Sequence, residues 1–300
     1  MMKNLIEYTE HSMTSLIEYI EESLLDDFDT LSKNMDDEIV QMIEQFLKDN
    51  FIISKYKISQ SPNSDGKYVV DCPGVIGVKN ISIKSLTNDC FIWGKVNSFN
   101  CNLCIHLTSL EGAPERVKLD FNCAGCNSLI NLEGAPKEVG RNFDCTGCNS
   151  LINLEGAPEK VKGDFNCTSC NSLINLEGAP KEVGGSFNCN RCTSLTSLKG
   201  APEKIKGNFS CNLCYTLTSF ECILKEVKGY FNCASCNSLT SLEGSPKNVG
   251  GDFYCNGCDS LINLEGSPKE IGGDFYCTWC NSLTSYDIDS NIKGKFIKEM

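Results

Sequence analysis

The chain has only two histidines, His11 and His106, two tryptophans and nine prolines in 300 residues. No uninterrupted apolar run approaches the about 18–20 residues that a membrane-spanning helix needs. With so few imidazoles, no recurring His/Cys set can be assembled. The opening residues MMKNLIEYTEHSM contain neither a continuous apolar core nor a small-residue cleavage site, so no signal peptide is expected. Basic residues are also scarce, 27 against 39 acidic ones, for a formal charge of −12. Nothing in the order of lysines and arginines forms a basic footprint, and neither nucleic acid nor membrane is expected as a partner. The charge is uneven, since residues 1–50 carry 13 acidic and 3 basic side chains, a net of −10.

Cysteine, in contrast, is abundant. Twenty-one thiols, an odd and dense set without an export signal, point to a reducing, cytoplasmic setting rather than a disulfide scaffold. Their order shows why they are numerous. Phenylalanines recur at Phe99, Phe121, Phe143, Phe165, Phe187, Phe209, Phe231, Phe253 and Phe275, always 22 residues apart. Within each unit the apolar set is Phe, Cys two later, Cys five later, Leu eight and eleven later, a small residue before Pro, then Val or Ile. One such coil cannot bury its apolar side alone, whereas stacked coils can. The F-x-C segment reads as a short strand, the Gly-(Ala/Ser)-Pro corner as a turn, and Val-x-Gly as the return to the next strand. No segment of the unit has helical periodicity. The fold class expected is a repeat solenoid with a parallel sheet of about ten strands and an irregular convex side, preceded by a helical N-terminal segment.

The spacing F-x-C-x-x-C-x-x-L resembles the leucine-rich-repeat core, and C-N-S-L-x-x-L…P-x-x-V is similar to the bacterial surface-antigen subtype, with the proline displaced by about one position. The LEGAP form resembles repeat proteins of bacteria and bacteriophages. The resemblance covers roughly residues 75–299. It implies a leucine-rich-repeat-like solenoid and, through the phage likeness, a virion-associated or host-interaction role.

The expected organisation is an acidic amphipathic helix over 1–33, a short helix and linker over 34–60, an N-terminal cap with a degenerate coil over 67–98, nine repeats over 99–286 and a C-terminal cap over 287–300. Ile6, Met13, Ile17, Ile20, Leu24 and Phe28 mark the first helix, and Ile39, Ile43, Phe46 and Leu47 the second. The second is expected to cap the solenoid, and the first to dock on a partner. Val75, Gly77, Asn80, Ile83 and Leu86 occupy the offsets of Phe, Cys, Cys, Leu and Leu, giving an opening coil 24 residues before Phe99. Ile292–Phe296 repeats the pattern of Val161–Phe165 as a closing strand. The pairs Glu115-Arg116, Lys137-Glu138, Glu159-Lys160 and their successors alternate in sign along the chain and between coils, which predicts opposite charges facing each other across rungs. Ser219–Leu224 lacks the corner Gly and Pro, so the edge should change shape there.

Paired Cys-x-x-Cys motifs on adjacent coils could build four-thiolate zinc sites. The alternative is that each first cysteine packs as a small hydrophobe and each second sits in an Asn/Cys ladder. Gly77 and Asn80 at the cysteine offsets favour the ladder, so no metal is expected. Nine equivalent buried pairs also lack the exposed, low-pKa thiolate of redox motifs. No acidic residue recurs with Ser or His as a nucleophile and base, and Val-Gly-Gly-Asp leads into a strand rather than opening a helix. The expectation is a noncatalytic chain with no catalytic residues and no cofactor, serving as a protein-interaction or structural scaffold. Its candidate binding residues are Tyr230, Asp252, Tyr254, Asp274, Tyr276 and Trp279, where a polar strand face turns aromatic near the C-terminal end. The partner would be a protein, engaged through the concave face or the N-terminal helix. Carbohydrate-binding adhesion through the same aromatics, or cysteine-based metal binding, is the alternative.

Overall fold

The computed structural model describes residues 35–60, 62–221 and 224–298. The chain divides into two compact units, Met1–Phe46 and Leu47–Met300. Residues 35–50 form helix α1, with Ile43 and Leu47 buried and Met35 and Met42 exposed. That is the stripe its spacing requires, and Asp36 and Asp37 sit in the first turn, where the helix dipole favours negative charge. The helix expected over 1–33 lies outside the described residues.

The second unit is a parallel β-solenoid built on two ladders. After β1 (Phe51–Ile53), β2 (Lys57–Ile58) and β3 (Tyr68–Val78), the ten-residue strand β4 (Phe91–Asn100) feeds both. Its Phe99 pairs with Phe121 to start a Phe ladder that runs to Phe275 and Phe296. Its Val96 pairs with Val117 to start a Val ladder that runs to Ile271 and Ile292. The return segment therefore forms a second ladder of two-residue strands rather than only a turn, joined to the first through β4. The physical reason is that a β-branched residue flanked by polar neighbours suits a pleated, half-buried surface, and the Phe ladder already holds successive coils in register.

The core follows from the repeat. In a central coil Phe187, Cys189, Cys192, Leu195 and Leu198 are fully buried, as is Val183 just before them. The phenyl rings stack coil upon coil, with centroids 5.1 Å apart and planes within 3° for Phe165 and Phe187. The corner is a turn in which Ala179 N donates to Leu176 O at 3.0 Å while Gly178 takes φ +90°, a conformation open to glycine but costly to other residues.

Two features set the ends. At the first, β1 pairs antiparallel with β3, so the sheet does not begin on a bare edge. Phe51 packs edge-on against Trp93 at 5.3 Å. Here the opening coil departs from the expected offsets. Ile76, not Val75, lies opposite Phe99, and Gly77 lies opposite Asn100. Ile76 is fully buried and Val75 is 59 % exposed. Gly77 is therefore not at the first-cysteine position, while Ile83 and Leu86 are buried as leucine equivalents. Ile83 N donates to Asn80 O at 2.9 Å, as Leu107 N does to Cys104 O at 3.1 Å, so Asn80 keeps the turn position of the second cysteine with its side chain exposed. The offset to β4 is 23 residues at Val70 and Trp93 and again at Ile76 and Phe99, because the two shifts around Cys72 cancel. Against the expected offset of 24, this one-residue difference reverses which side chains point inward. At the other end Asn291–Ile292 and Phe296–Ile297 continue both ladders, with Phe296 turned edge-on to Phe275, 71° between planes, in place of stacking.

The charge alternation falls in register. Arg116 faces Glu138, which faces Lys160, and Lys204 faces Glu226. Lys137 reaches Glu115 at 3.0 Å and Lys225 reaches Glu203 at 3.2 Å. Such exposed pairs contribute about 0–1 kcal/mol each, enough to favour one stacking register over a shifted one. The unit without Gly and Pro does change shape. Phe220 fills the leucine position, fully buried and edge-on to Phe231, and Glu221 takes φ +42°. A Cβ on Gly244 in the next coil would stand 3.1 Å from Glu221 N, against 2.5 Å from Glu177 N for Gly200, so this corner is looser. Cys222 and Ile223 of that unit lie outside the described residues.

Candidate functional site

The residues that could carry chemistry fall into two groups, the cysteine columns and the aromatic end of the Phe ladder. From Cys126 onward, each second cysteine donates its thiol to the carbonyl of the first cysteine of the preceding coil. Cys170 Sγ lies 3.2 Å from Cys145 O, and the same contact recurs for Cys192 with Cys167 and Cys214 with Cys189. First cysteines donate forward, as Cys167 Sγ does to Asn188 O at 3.4 Å. A neutral thiol can make these bonds and a thiolate cannot. Burial pushes the thiols of Cys167, Cys189, Cys211, Cys233 and Cys255 well up from their ordinary value, and that of Cys277 to about 12. A protonated, enclosed thiol is a poor nucleophile and a poor metal ligand. Among the described residues no group of three or more His, Cys, Asp or Glu side chains is placed to hold a metal ion.

The flanks of the Phe ladder are also bonded to the backbone. Except at Tyr230, the residue before Phe accepts the backbone N–H of its counterpart one coil on: Asp120 Oδ1 from Asn142, Asn142 Oδ1 from Asp164, Asp164 Oδ1 from Ser186, and Asn208 Oδ1 from Tyr230. This explains the glycine that precedes the column. A Cβ at Gly163 would fall 2.4 Å from Asn142 Oδ1. The residue after Phe closes its own turn, as when Asn122 Oδ1 accepts Ala124 N at 2.8 Å.

The aromatic candidates modify these two columns. Tyr254 and Tyr276 stand where most other coils have Asn, and their rings stack 4.7 Å apart and 10° from parallel. Tyr230 meets Tyr254 edge-on at 6.0 Å. Tyr254 donates its hydroxyl to Asp252 at 2.7 Å, and Tyr276 donates to Asp274 at 3.1 Å. Asp252 also accepts Asp274 N, so its two oxygens serve different partners. Burial, then the bond to Asp252, raises the Tyr254 phenol to about 12. The structure thus brings together five of the six candidates. Trp279 lies on another column, four residues after Phe275, and is 69 % exposed with φ +58°.

That column was missed by sequence reasoning. Leu103, Gly125, Gly147, Ser169, Arg191, Leu213, Ser235 and Gly257 are its earlier members, and every one has positive φ. The signal was present in the glycines at three of these positions. A side chain there costs about 1–2 kcal/mol of backbone strain.

No family profile, curated protein or solved structure matches this chain. Any functional reading therefore stands on the geometry alone.

Proposed function

We propose that this chain is a noncatalytic protein-interaction scaffold, with Trp279 as one anchor. The observation that carries this reading is that a large indole is held out to solvent on left-handed backbone, where neighbouring coils use Gly257 and Ser235. Left-handed backbone is common to the whole column, Leu103, Arg191 and Leu213 included, so what singles Trp279 out is the large aromatic ring it exposes. Exposed tryptophan is also the side chain most enriched among binding anchors. The noncatalytic reading is supported by second cysteines whose donors are engaged by carbonyls and by first cysteines such as Cys167, Cys189 and Cys211, whose burial keeps them protonated. The carbohydrate reading fares less well, because Tyr254 and Tyr276 cover each other's faces and sugar stacking needs an open face. The leucine-rich-repeat likeness and a virion-associated or host-interacting setting belong to the same proposal. Affinity capture from the native source with the full chain, compared with a Trp279→Ala variant, is the test. Loss of the captured protein with an unchanged melting curve supports the reading. Equal capture by both removes Trp279 from it.

A further inference from the structure

The outer side of the Val ladder carries a charge pattern that the linear sequence hides. The residues on either side of each buried Val or Ile lie on one face, as the contact of Lys228 with Glu226 at 2.5 Å across Val227 demonstrates. The preceding column runs Arg116, Glu138, Lys160, Glu182, Lys204, Glu226 and alternates in sign. The following column runs Lys118, Gly140, Lys162, Gly184, Lys206, Lys228 and contains no acid. With Lys95 beside Val96, this face sets eight cations against three carboxylates, within a chain of net charge −12. Glu138 is shared by Arg116 at 3.2 Å and Lys162 at 3.1 Å, and Glu182 is taken by Lys206 at 3.0 Å. Among the described residues Lys95, Lys118 and Lys204 have no carboxylate at ion-pair distance.

The glycines give this face its relief. A Cβ on Gly140 would sit 2.0 Å from Lys118 O, and one on Gly184 would sit 2.1 Å from Lys162 O. The floor at these coils is therefore bare backbone between lysine walls. Two grooves result, one of about 530 Å³ bordered by Lys95, Lys118, Gly140 and Lys162 with Glu138, the next of about 540 Å³ bordered by Lys162, Gly184 and Lys206 with Glu159 and Glu182. Parallel strands lie about 4.8 Å apart, so Lys118, Lys162 and Lys206, on alternate coils, repeat about every 9.5 Å.

We propose that this face binds an extended acidic polypeptide segment of a partner, its carboxylates meeting the row Lys118, Lys162 and Lys206 above Gly140 and Gly184. The inference rests on the scaffold reading and adds a second surface to it. A polyproline II segment repeats about every 9.3 Å with three residues per turn. One carboxylate at every third residue therefore keeps step with alternate coils. A nucleic-acid strand fits less well. Its phosphates are spaced more closely, and the two flanking columns offer no aromatic ring for base stacking.

The test uses the purified full chain and a fluorescent peptide of Glu-Pro-Pro repeats. Its controls are a peptide of the same composition with its glutamates in one block, and an oligothymidylate of equal charge. The expected result is binding of the spaced peptide about tenfold tighter than either control, weakening as salt is raised through physiological strength. The triple variant K118E/K162E/K206E should lose at least about tenfold in affinity at an unchanged melting temperature. If charge reversal lowers the melting temperature, K118Q/K162Q/K206Q replaces it with the same expectation. No binding, equal binding of the two peptides, tighter binding of the oligonucleotide, or binding that survives the lysine substitutions would each overturn the proposal. Because Trp279 is untouched in these variants, failure here is distinct from failure of capture through Trp279.

Discussion

Asn208 and Lys206 stand two residues apart on one coil, each flanking a column of buried side chains, and their partners are of different kinds. Asn208 Oδ1 accepts the backbone N–H of Tyr230 on the next coil, whereas Lys206 Nζ meets only the Glu182 carboxylate of the preceding one. The same contrast holds along both ladders. Most side chains beside the Phe ladder complete backbone hydrogen bonds as short acceptors such as Asn, Asp and Ser, and Tyr230, Tyr254 and Tyr276 are the places where aromatic rings stand instead. Side chains beside the Val ladder pair with one another or with solvent, so their charges can be arranged without disturbing the coil. A column engaged by the backbone is architecture, and a column that is not so engaged is free to recognise a partner.

Four measurements would break or sharpen that contrast. Phe187→Ala, in the middle of the ring stack, should lower stability by about 3–5 kcal/mol in denaturant unfolding. A loss under about 1 kcal/mol would mean that the stack is not the common core of both ladders. Asn208→Ala should cost about 1 kcal/mol by orphaning Tyr230 N, while Lys206→Ala should change stability by less than about 0.5 kcal/mol. Equal effects of these two substitutions would erase the distinction between the faces. Trp279→Gly should leave stability unchanged or raise it by up to about 1 kcal/mol, because relief of left-handed strain outweighs the entropy that glycine adds to the unfolded chain. A clear destabilisation would show that the indole packs within the fold. The smallest effect is spectroscopic. The Tyr254 phenol should titrate near about 12 rather than the ordinary value near about 10, and the step should vanish in Tyr254→Phe. Since the folded state disfavours the phenolate, this contribution to stability is complete below pH of about 10 and disappears as pH climbs toward about 12.

The cysteines mark where linear reading was strong and where it slipped. Phe165, Cys167, Cys170, Leu173 and Leu176 are all fully buried, as the 22-residue period required. The sequence comparison that favoured a ladder over metal ligation used Gly77 and Asn80. Asn80 keeps the second-cysteine place in its turn, but Ile76 rather than Val75 holds the strand register, so Gly77 does not keep the first. What supports the ladder is instead the set of Sγ-to-carbonyl bonds. Of the aromatic candidates, the proximity of Tyr230, Tyr254 and Tyr276 was legible because the period places them on neighbouring rungs. The placement of Trp279 apart from them was not, because its column is defined by backbone φ rather than by polarity.

The sequence by itself determined the coil. A fixed period with Phe, Cys, Leu and Val at constant offsets can bury its apolar side only by stacking identical turns, and the Gly-Pro corner and alternating charges admit one register. Tertiary structure alone decided which flanking residues share a surface. Along the chain, Glu115 and Arg116 cancel, as do Lys137 and Glu138, and no basic patch is visible. In the fold, alternation across each buried Val puts Arg116 beside Lys118 and Lys160 beside Lys162, so charges that cancel in sequence separate in space.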